Sequence, residues 1–334
     1  MYFSTLSSWV LLIKKALDSY GCDSLILFEQ AGLDPRYLDD PEARYPQSGV
    51  KTLWRLAVEA SGDEAFGLRA ARYWHPTTLH ALGFSWMASA SLHDGLERLV
   101  RYGQVVTDAG WAQLEEREEG FRFLLLIREP ALTPPDAALD AVLATLVRMC
   151  RTSLGEEFSP RRVALCRPPP KDPGPFQDYF RAPLVFEVTP CALDFDREEL
   201  LRPLPTANAQ LARANDRIIN DYLARFERTS VIRRVKARLI EQLPSGQASQ
   251  ESVARAVHLS PRSLQRKLRE EGTTYTQLLE DTRRELAAQY VRDARLSINE
   301  ITYLLGFSEP ANFSRSFKRW TGVSPSAYRS GGQG

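Results

Sequence analysis

Residues 259–272 read LSPRSLQRKLREEG, and what this run becomes decides the fold of the C-terminal third of the chain. Ser260 followed by Pro261 is a helix start. The serine oxygen can cap free backbone N–H groups, and proline at the first helical position gives up a donor that has no partner there. Leu264 and Leu268 then fall on one face, while Arg262, Ser263, Gln265, Arg266 and Arg269 spread over the rest. Taken alone, such a pattern fits a solvated charged helix as well as one that lies against a polyanion.

A second copy about fifty residues on bears on that choice. In 250–272 and 298–322, Val253 matches Ile301, Leu259 matches Phe307 and Ser260 matches Ser308, each 48 positions apart. After one extra residue in the second copy, Pro261 matches Pro310, Leu264 matches Phe313, Arg266 matches Arg315 and Leu268 matches Phe317, each 49 apart. Each unit predicts a short helix, a tight turn and a second helix. Ser297 and Glu300 form a capping box at the start of the second copy, and Gly306 supplies a positive φ at its turn. In the first copy the helix covers about 249–257, and the turn at His258 and Leu259 lacks the glycine. Gly272 and Gly322 follow both second helices as stops. Two helices joined by a tight turn, the second carrying arginine on its exposed face, describe a helix-turn-helix.

Between the units, 275–294 holds Leu278, Leu279, Leu286, Tyr290 and Val291 and neither glycine nor proline, which predicts one unbroken helix. About 20 residues span roughly 30 Å, against roughly 34 Å between successive major-groove faces on one side of B-DNA. A rod of that length suits two recognition helices in adjacent grooves.

Composition sets bounds. With 334 residues, 43% hydrophobic and 25% charged, the chain is long enough for two domains with a core in each. Its net charge of +1 hides a split: residues 231–334 carry 17 Lys+Arg against 10 Asp+Glu, leaving 26 against 32 for residues 1–230. A basic module joined to an acidic one with another task fits that split, as does chance in surface charge. No apolar stretch approaches the roughly 20 residues that span a membrane, and WVLLI at 9–13 stops at Lys14 and Lys15 without a secretory pattern. Cys22, Cys150, Cys166 and Cys191 are far apart with no CxxC, which reads as reduced thiols in a cytoplasmic protein. The four histidines show no metal-ligand spacing, so neither a metal nor a cofactor is expected.

The stretch 233–331, with LGFSE, FSRSFKRWTGVSP including Pro325, and the closing Tyr328 and Arg329, resembles the DNA-binding domain of the AraC/XylS transcriptional regulators. One departure is Thr302, where that family carries a small alanine on the inner face of the helix. The resemblance implies base-facing positions at Arg262, Ser263, Gln265 and Arg266 in the first helix. In the second it implies Pro310, Ala311, Asn312, Ser314 and Arg315. Arginine pairs with guanine and glutamine with adenine, whereas Pro310 and Ala311 offer only apolar contact. The second helix should therefore depend on Asn312 and Arg315 and read sequence less sharply. Ser260, Lys267, Arg269, Ser308, Lys318 and Arg319 are candidates for phosphate contacts, with plain solvation the alternative for Lys267 and Arg269. Leu264, Leu268, Phe307, Phe313, Phe317 and Trp320 belong to the core by their spacing.

The acidic part predicts an α+β domain. Residues 1–75 read as helices at 8–20, 22–31 and 49–60. A helix at 92–106, a hairpin from WAQLEER through Glu119 and Gly120 to FRFLLLI, a helix at 135–154 and strands RRVALC, LVFEV and CALDF follow, giving a small, mainly antiparallel sheet with helices. Gly62-Asp63, Phe66-Gly67-Leu68, Leu82-Gly83-Phe84 and 92–102 resemble the arabinose-binding-like N-terminal domain of one branch of the same regulators. That implies effector sensing and dimerisation without identifying arabinose. Trp74, Trp86, Tyr102 and Trp111, with Tyr73, are candidates to line an effector pocket or equally to fill the core. His75, His93 and Asp94 have no nucleophile elbow, phosphate loop or metal motif around them, so no enzyme is expected.

The expected organisation is a sensing or dimerisation domain at 1–205, a linker helix at 206–232 and an all-α domain at 233–331 with helix-turn-helix units at 249–271 and 297–321. Leu211, Ile218, Ile219, Tyr222 and Phe226 form a stripe on the linker, which suits a dimer seam or packing on its own domain. Expected partners are promoter DNA, RNA polymerase, a small-molecule effector and a second copy, with no membrane.

Overall fold

The computed structural model describes residues 3–127, 133–293 and 295–331, with backbone alone at 227–229. The chain divides into two compact units, Phe3–Leu223 and Ala224 onward.

The first unit opens with β1 (Ser4–Leu6), α1 (Ser7–Ser19), α2 (Ser24–Gln30), β2 (Arg44–Pro46), α3 (Gln47–Ser61), α4 (Phe66–Ala71), α5 (Ala81–Met87) and α6 (Leu92–Tyr102). Strands interrupt the helical lead expected for 1–75: β1 pairs antiparallel with β2, Thr5 opposite Tyr45. Three residues are too few for an alternating pattern to show in sequence. The hairpin β3 (Gly110–Arg117) and β4 (Gly120–Ile127) comes next, then α7 (Asp136–Leu154), β5 (Arg162–Ala164), α8 (Gly174–Phe180), β6 (Leu184–Val185), β7 (Cys191–Asp196), α9 (Arg197–Leu201) and α10 (Ala209–Thr229), whose residues from Ala224 onward belong to the second unit. The sheet order is β3-β4-β7-β5-β6, antiparallel except for β5 and β6. The expected strand LVFEV shrinks to Leu184–Val185, because Glu187 takes φ 61° and cannot continue a strand.

Helix α7 is buried along most of its length and packs so closely on α4 that a Cβ at Gly67 would lie 2.2 Å from the Ala137 carbonyl oxygen. On α7, Asp140 is buried and accepts from Arg167 Nη1 at 3.1 Å. Burial pushes its carboxyl up to about 7 against the opposing pull of Arg167. The cysteine reading needs correction: Cys166 and Cys191 form a disulfide, with Cα atoms 5.2 Å apart, while Cys22 and Cys150 are free. The antiparallel register that sets Ala164 opposite Ala192 brings the two cysteines together, and their separation of 25 residues gave no sign of it. The linker stripe is also split. Ile219 and Tyr222 are buried in the first unit together with Ala212 and Asn215, whereas Leu211 and Ile218 are about half exposed.

The second unit contains α11 (Val231–Gln242), α12 (Gln250–Ala256), α13 (Pro261–Glu270), α14 (Tyr275–Arg292), α15 (Ile298–Leu304), α16 (Pro310–Thr321) and α17 (Pro325–Gly331). Ala294, where the expected middle helix was to end, lies outside the described residues. Two cores form. One gathers Val235, Leu239, Val253, Leu264 and Leu268 with Tyr275 and Leu278 of α14. The other gathers Ile301, Leu305, Phe313 and Phe317 with Ala287 and Val291 of α14. No helix among the described residues is long and apolar enough to cross a membrane.

The repeat extends to backbone bonds. In the turn of the first helix-turn-helix the His258 N–H donates to the Arg255 carbonyl and Leu259 to Ala254; in that of the second, Gly306 donates to Tyr303 and Phe307 to Thr302. Both turn residues are left-handed, His258 at φ 59° and Gly306 at φ 67°. Surroundings explain why only one must be glycine. A Cβ at Gly306 would lie 2.8 Å from the Leu243 carbonyl oxygen, while His258 is exposed. Thr302, the departure from the family alanine, is fully buried and donates its hydroxyl to the Ile298 carbonyl at 2.8 Å, so it leaves no unsatisfied polar atom. These two turns should respond differently to substitution. Gly306→Ala is expected to lower unfolding free energy by at least about 1 to 2 kcal/mol, while His258→Gly leaves it unchanged or slightly raised by relief of left-handed strain. Urea unfolding followed by circular dichroism measures both, and equal responses would contradict the packing difference.

Candidate nucleic-acid interface

Both helix-turn-helix units start from capped first helices. Ser249 and Ser252 exchange side-chain and backbone bonds at α12, and Ser297 and Glu300 do so at α15. Those bonds hold the Glu300 carboxyl below the usual carboxylate range. At α13, Ser260 caps as the sequence predicts, its hydroxyl oxygen accepting from the Ser263 N–H at 3.1 Å. The second copy differs. Its extra residue makes Glu309 the N-cap of α16, without a side-chain cap bond, and leaves Ser308 one position outside the helix.

On α13, Leu264 and Leu268 are buried while Arg262, Gln265, Arg266 and Arg269 are exposed and line one open groove with Glu270. Lys267 is half-buried. Arg266 Nη1 donates to Glu270 Oε1 at 2.9 Å, with side chains 67% and 49% exposed, a pair weak enough to open for another acceptor. Ser263 is turned back on Ser260, whose hydroxyl donates to it at 2.9 Å. On α16, Phe313 and Phe317 are buried and Arg315 faces out, its Nη2 donating to Asn312 Oδ1 at 2.6 Å. Asn312 and Arg315 are therefore tied to each other, with the Asn312 amide N–H₂ left as a donor. Ser314 is half-buried and Lys318 exposed. Arg319 differs from the other phosphate candidates, because its Nη2 is bonded to Glu280 Oε1 of α14 at 2.7 Å.

Several residues that set this face in place escaped sequence reasoning. Glu280 also accepts from Trp320 Nε1 at 2.9 Å, and these bonds from Trp320 and Arg319 hold its carboxyl below the ordinary range. Arg283 of α14 lies over the Phe307 ring and donates to the carbonyls of Leu305 and Gly306 at 2.9 and 2.8 Å, clamping the second turn. At the far end of α14, Arg329 donates to the Val291 and Leu296 carbonyls. Backbone acceptors carry no sequence signature, so the bonds that Arg283 and Arg329 make to distant carbonyls are not legible in the sequence.

In the first unit the aromatic candidates do not share one environment. Trp74, Trp86 and Tyr102 are buried, and Trp111 on β3 is 46% exposed. Trp86 Nε1 donates to Ser153 Oγ at 3.1 Å, whereas the buried Trp74 Nε1 has no partner among the described residues. His75 caps the turn at Thr77, and His93 meets the edge of Phe121. Asp94 accepts from the Ala90 N–H and Arg98.

Comparison with known proteins agrees with this architecture. Residues 21–204 match the family described as the arabinose-binding domain of AraC transcription regulators, and 253–331 match a helix-turn-helix domain. The chain is 31% identical over 312 residues to the ornithine utilization regulator of Pseudomonas aeruginosa, covering 93% of this chain and 91% of that protein. It is 27% identical over 315 residues to the HTH-type transcriptional regulator VirS of Mycobacterium tuberculosis, covering 93% and 92%. A crystal structure of the transcriptional regulator CdpR from Pseudomonas aeruginosa aligns over 96% of this chain and 98% of its own at 22% identity, with a TM-score of 0.46. With one family spanning more than half of the chain and the other falling on the paired helix-turn-helix units, the protein belongs to the AraC family of DNA-binding transcription regulators.

Proposed function

We propose that this regulator reads two adjacent major-groove segments of promoter DNA, α13 entering one and α16 the next. The observation that carries the reading is that α14 supplies residues to both helix-turn-helix cores, so the two reading helices share one support. Its 18 residues amount to about 27 Å of helix, close to the roughly 34 Å between successive grooves. Arg262, Gln265 and Arg266, with Ser263 beside them, read base edges in the first segment; Asn312, Ser314 and Arg315 do so in the second. Ser260, Lys267, Arg269, Ser308 and Lys318 take phosphates, and Arg319 joins them once it leaves Glu280.

The acidic unit senses a small molecule and alters how the basic unit engages promoter DNA and RNA polymerase in the cytoplasm. Such control requires the effector to bind one state better than the other. The buried indole N–H of Trp74, without a partner among the described residues, supports a polar acceptor arriving there, since buried donors are normally satisfied. Leu211 and Ile218, seven residues apart and half exposed on α10, support a second copy as partner.

Arg266→Ala is expected to cost about 1 to 3 kcal/mol on the selected site and to relax preference at one base pair. Lys318→Ala should instead weaken selected and random DNA alike and reduce the salt slope by about 1. Titrations at several salt concentrations distinguish the two, and equal losses on both DNAs for both variants would remove this division of roles. For the acidic unit, a metabolite panel followed by thermal melting should reveal a ligand that raises Tm in the native protein and loses its effect in Trp74→Phe. A panel with no shift would favour a module that only dimerises.

A further inference from the structure

Residues 209–242 contain neither glycine nor proline, and a single residue, Ser230, interrupts helix through that stretch. Ser230 sits in extended backbone at φ −63° and ψ 114° and caps α11 through the Arg233 N–H at 3.3 Å. A second group completes the cap from far along the chain. Glu271, the first residue after α13, accepts the Val231 N–H at 2.7 Å, the Ile232 N–H at 3.1 Å and the Ser230 hydroxyl at 3.1 Å. A carboxylate at a helix N-terminus meets unpaired N–H groups and the favourable end of the helix dipole.

The second copy has a counterpart. Trp320 stands 49 positions after Glu271, the offset that relates Arg315 to Arg266, and fastens α16 to Glu280 of α14. One repeat position thus anchors each reading helix to its scaffold by a different chemistry.

We propose that Glu271 is a positioning residue for DNA reading: its carboxylate holds the trailing end of α13 on the start of α11 and keeps the helix interrupted at Ser230. The groove fit of the first reading helix and the break between α10 and α11 then depend on one contact. The inference rests on the reading of α13 as the helix that enters the first DNA segment. Releasing Glu271 frees the Val231 and Ile232 N–H groups, favours uninterrupted helix through Ser230 and loosens α13, while the Trp320–Glu280 anchor of α16 is untouched.

Ser230→Asp tests this in the full-length protein, because aspartate caps a helix as well as serine but sets a second carboxylate against Glu271. Affinity should fall about tenfold on a selected site with both half-elements, corresponding to loss of one charged hydrogen bond. It should stay within about twofold on a site whose first half-element is scrambled. Amide exchange at Val231 and Ile232 should quicken. Adding Glu271→Gln to Ser230→Asp restores a donor opposite the new carboxylate and should recover most of the lost affinity. Equal weakening on both sites with no recovery would assign Glu271 a purely structural role and overturn the proposal. Faster exchange with unchanged binding to the intact site would overturn positioning while leaving the contact in place. If the native protein does not distinguish the intact from the scrambled first half-element, the reading of α13 itself fails and the proposal falls with it.

Discussion

One helix, α14, takes part in two hydrophobic cores, and the placing of both helix-turn-helix units follows from that sharing. Tyr275 and Leu278 near its start are buried among α11, α12 and α13, whereas Ala287 and Val291 are buried among α15 and α16. Thr274 and Gln277 close a capping box at its beginning, and Arg329 meets carbonyls at its end. From its middle, Glu280 and Arg283 reach α16 and the second turn. A helix bonded at both ends and buried at two places along its length is braced by both cores, because packed interiors resist small displacements.

Much of this arrangement is legible in the amino-acid sequence. The 48- and 49-residue offsets located both helix-turn-helix units, and burial of Leu264, Leu268, Phe313 and Phe317 followed from spacing alone. The apolar positions Leu278, Leu279, Leu286, Tyr290 and Val291, with no glycine or proline among them, marked α14 as an uninterrupted helix. What stayed hidden depended on distant backbone. No property of Arg283 or Glu271 in sequence says that a turn carbonyl or the first N–H groups of another helix lie within reach. The disulfide between Cys166 and Cys191 needed the β5–β7 register, and the three-residue strands β1 and β2 are shorter than any readable alternation. Exposure of Leu211 and Ile218 beside buried Ile219 and Tyr222 likewise shows that apolar spacing marks a helix without saying which of its faces is covered.

The two copies have diverged where their surroundings differ. A histidine suffices at the solvent-facing first turn, while the second turn, pressed against Leu243, requires glycine. Ser260 caps α13 through its own side chain, but the inserted residue gives α16 Glu309 as its cap residue. Arg266 is paired with a carboxylate on its own helix and Arg315 with a neutral amide. Helices that share a backbone plan thus present different donor sets, which suits unequal roles in reading sequence. The acidic unit is built on other terms: a nearly all-buried α7, a tight α4 crossing at Gly67 and an interior ion pair at Asp140 and Arg167 hold it together.

The most direct test of a fixed separation between α13 and α16 is the dependence of affinity on the distance between half-elements. Binding of the full-length protein would be titrated, at constant salt, to duplexes carrying both half-elements of a selected site with base pairs inserted or removed between them. The account predicts one sharp optimum with centres about one helical turn apart, and binding that falls towards the level of a single half-element when about two or three base pairs are added. Affinity that stays flat across these spacings would mean that the helices engage DNA independently, and α14 would lose the role assigned to it.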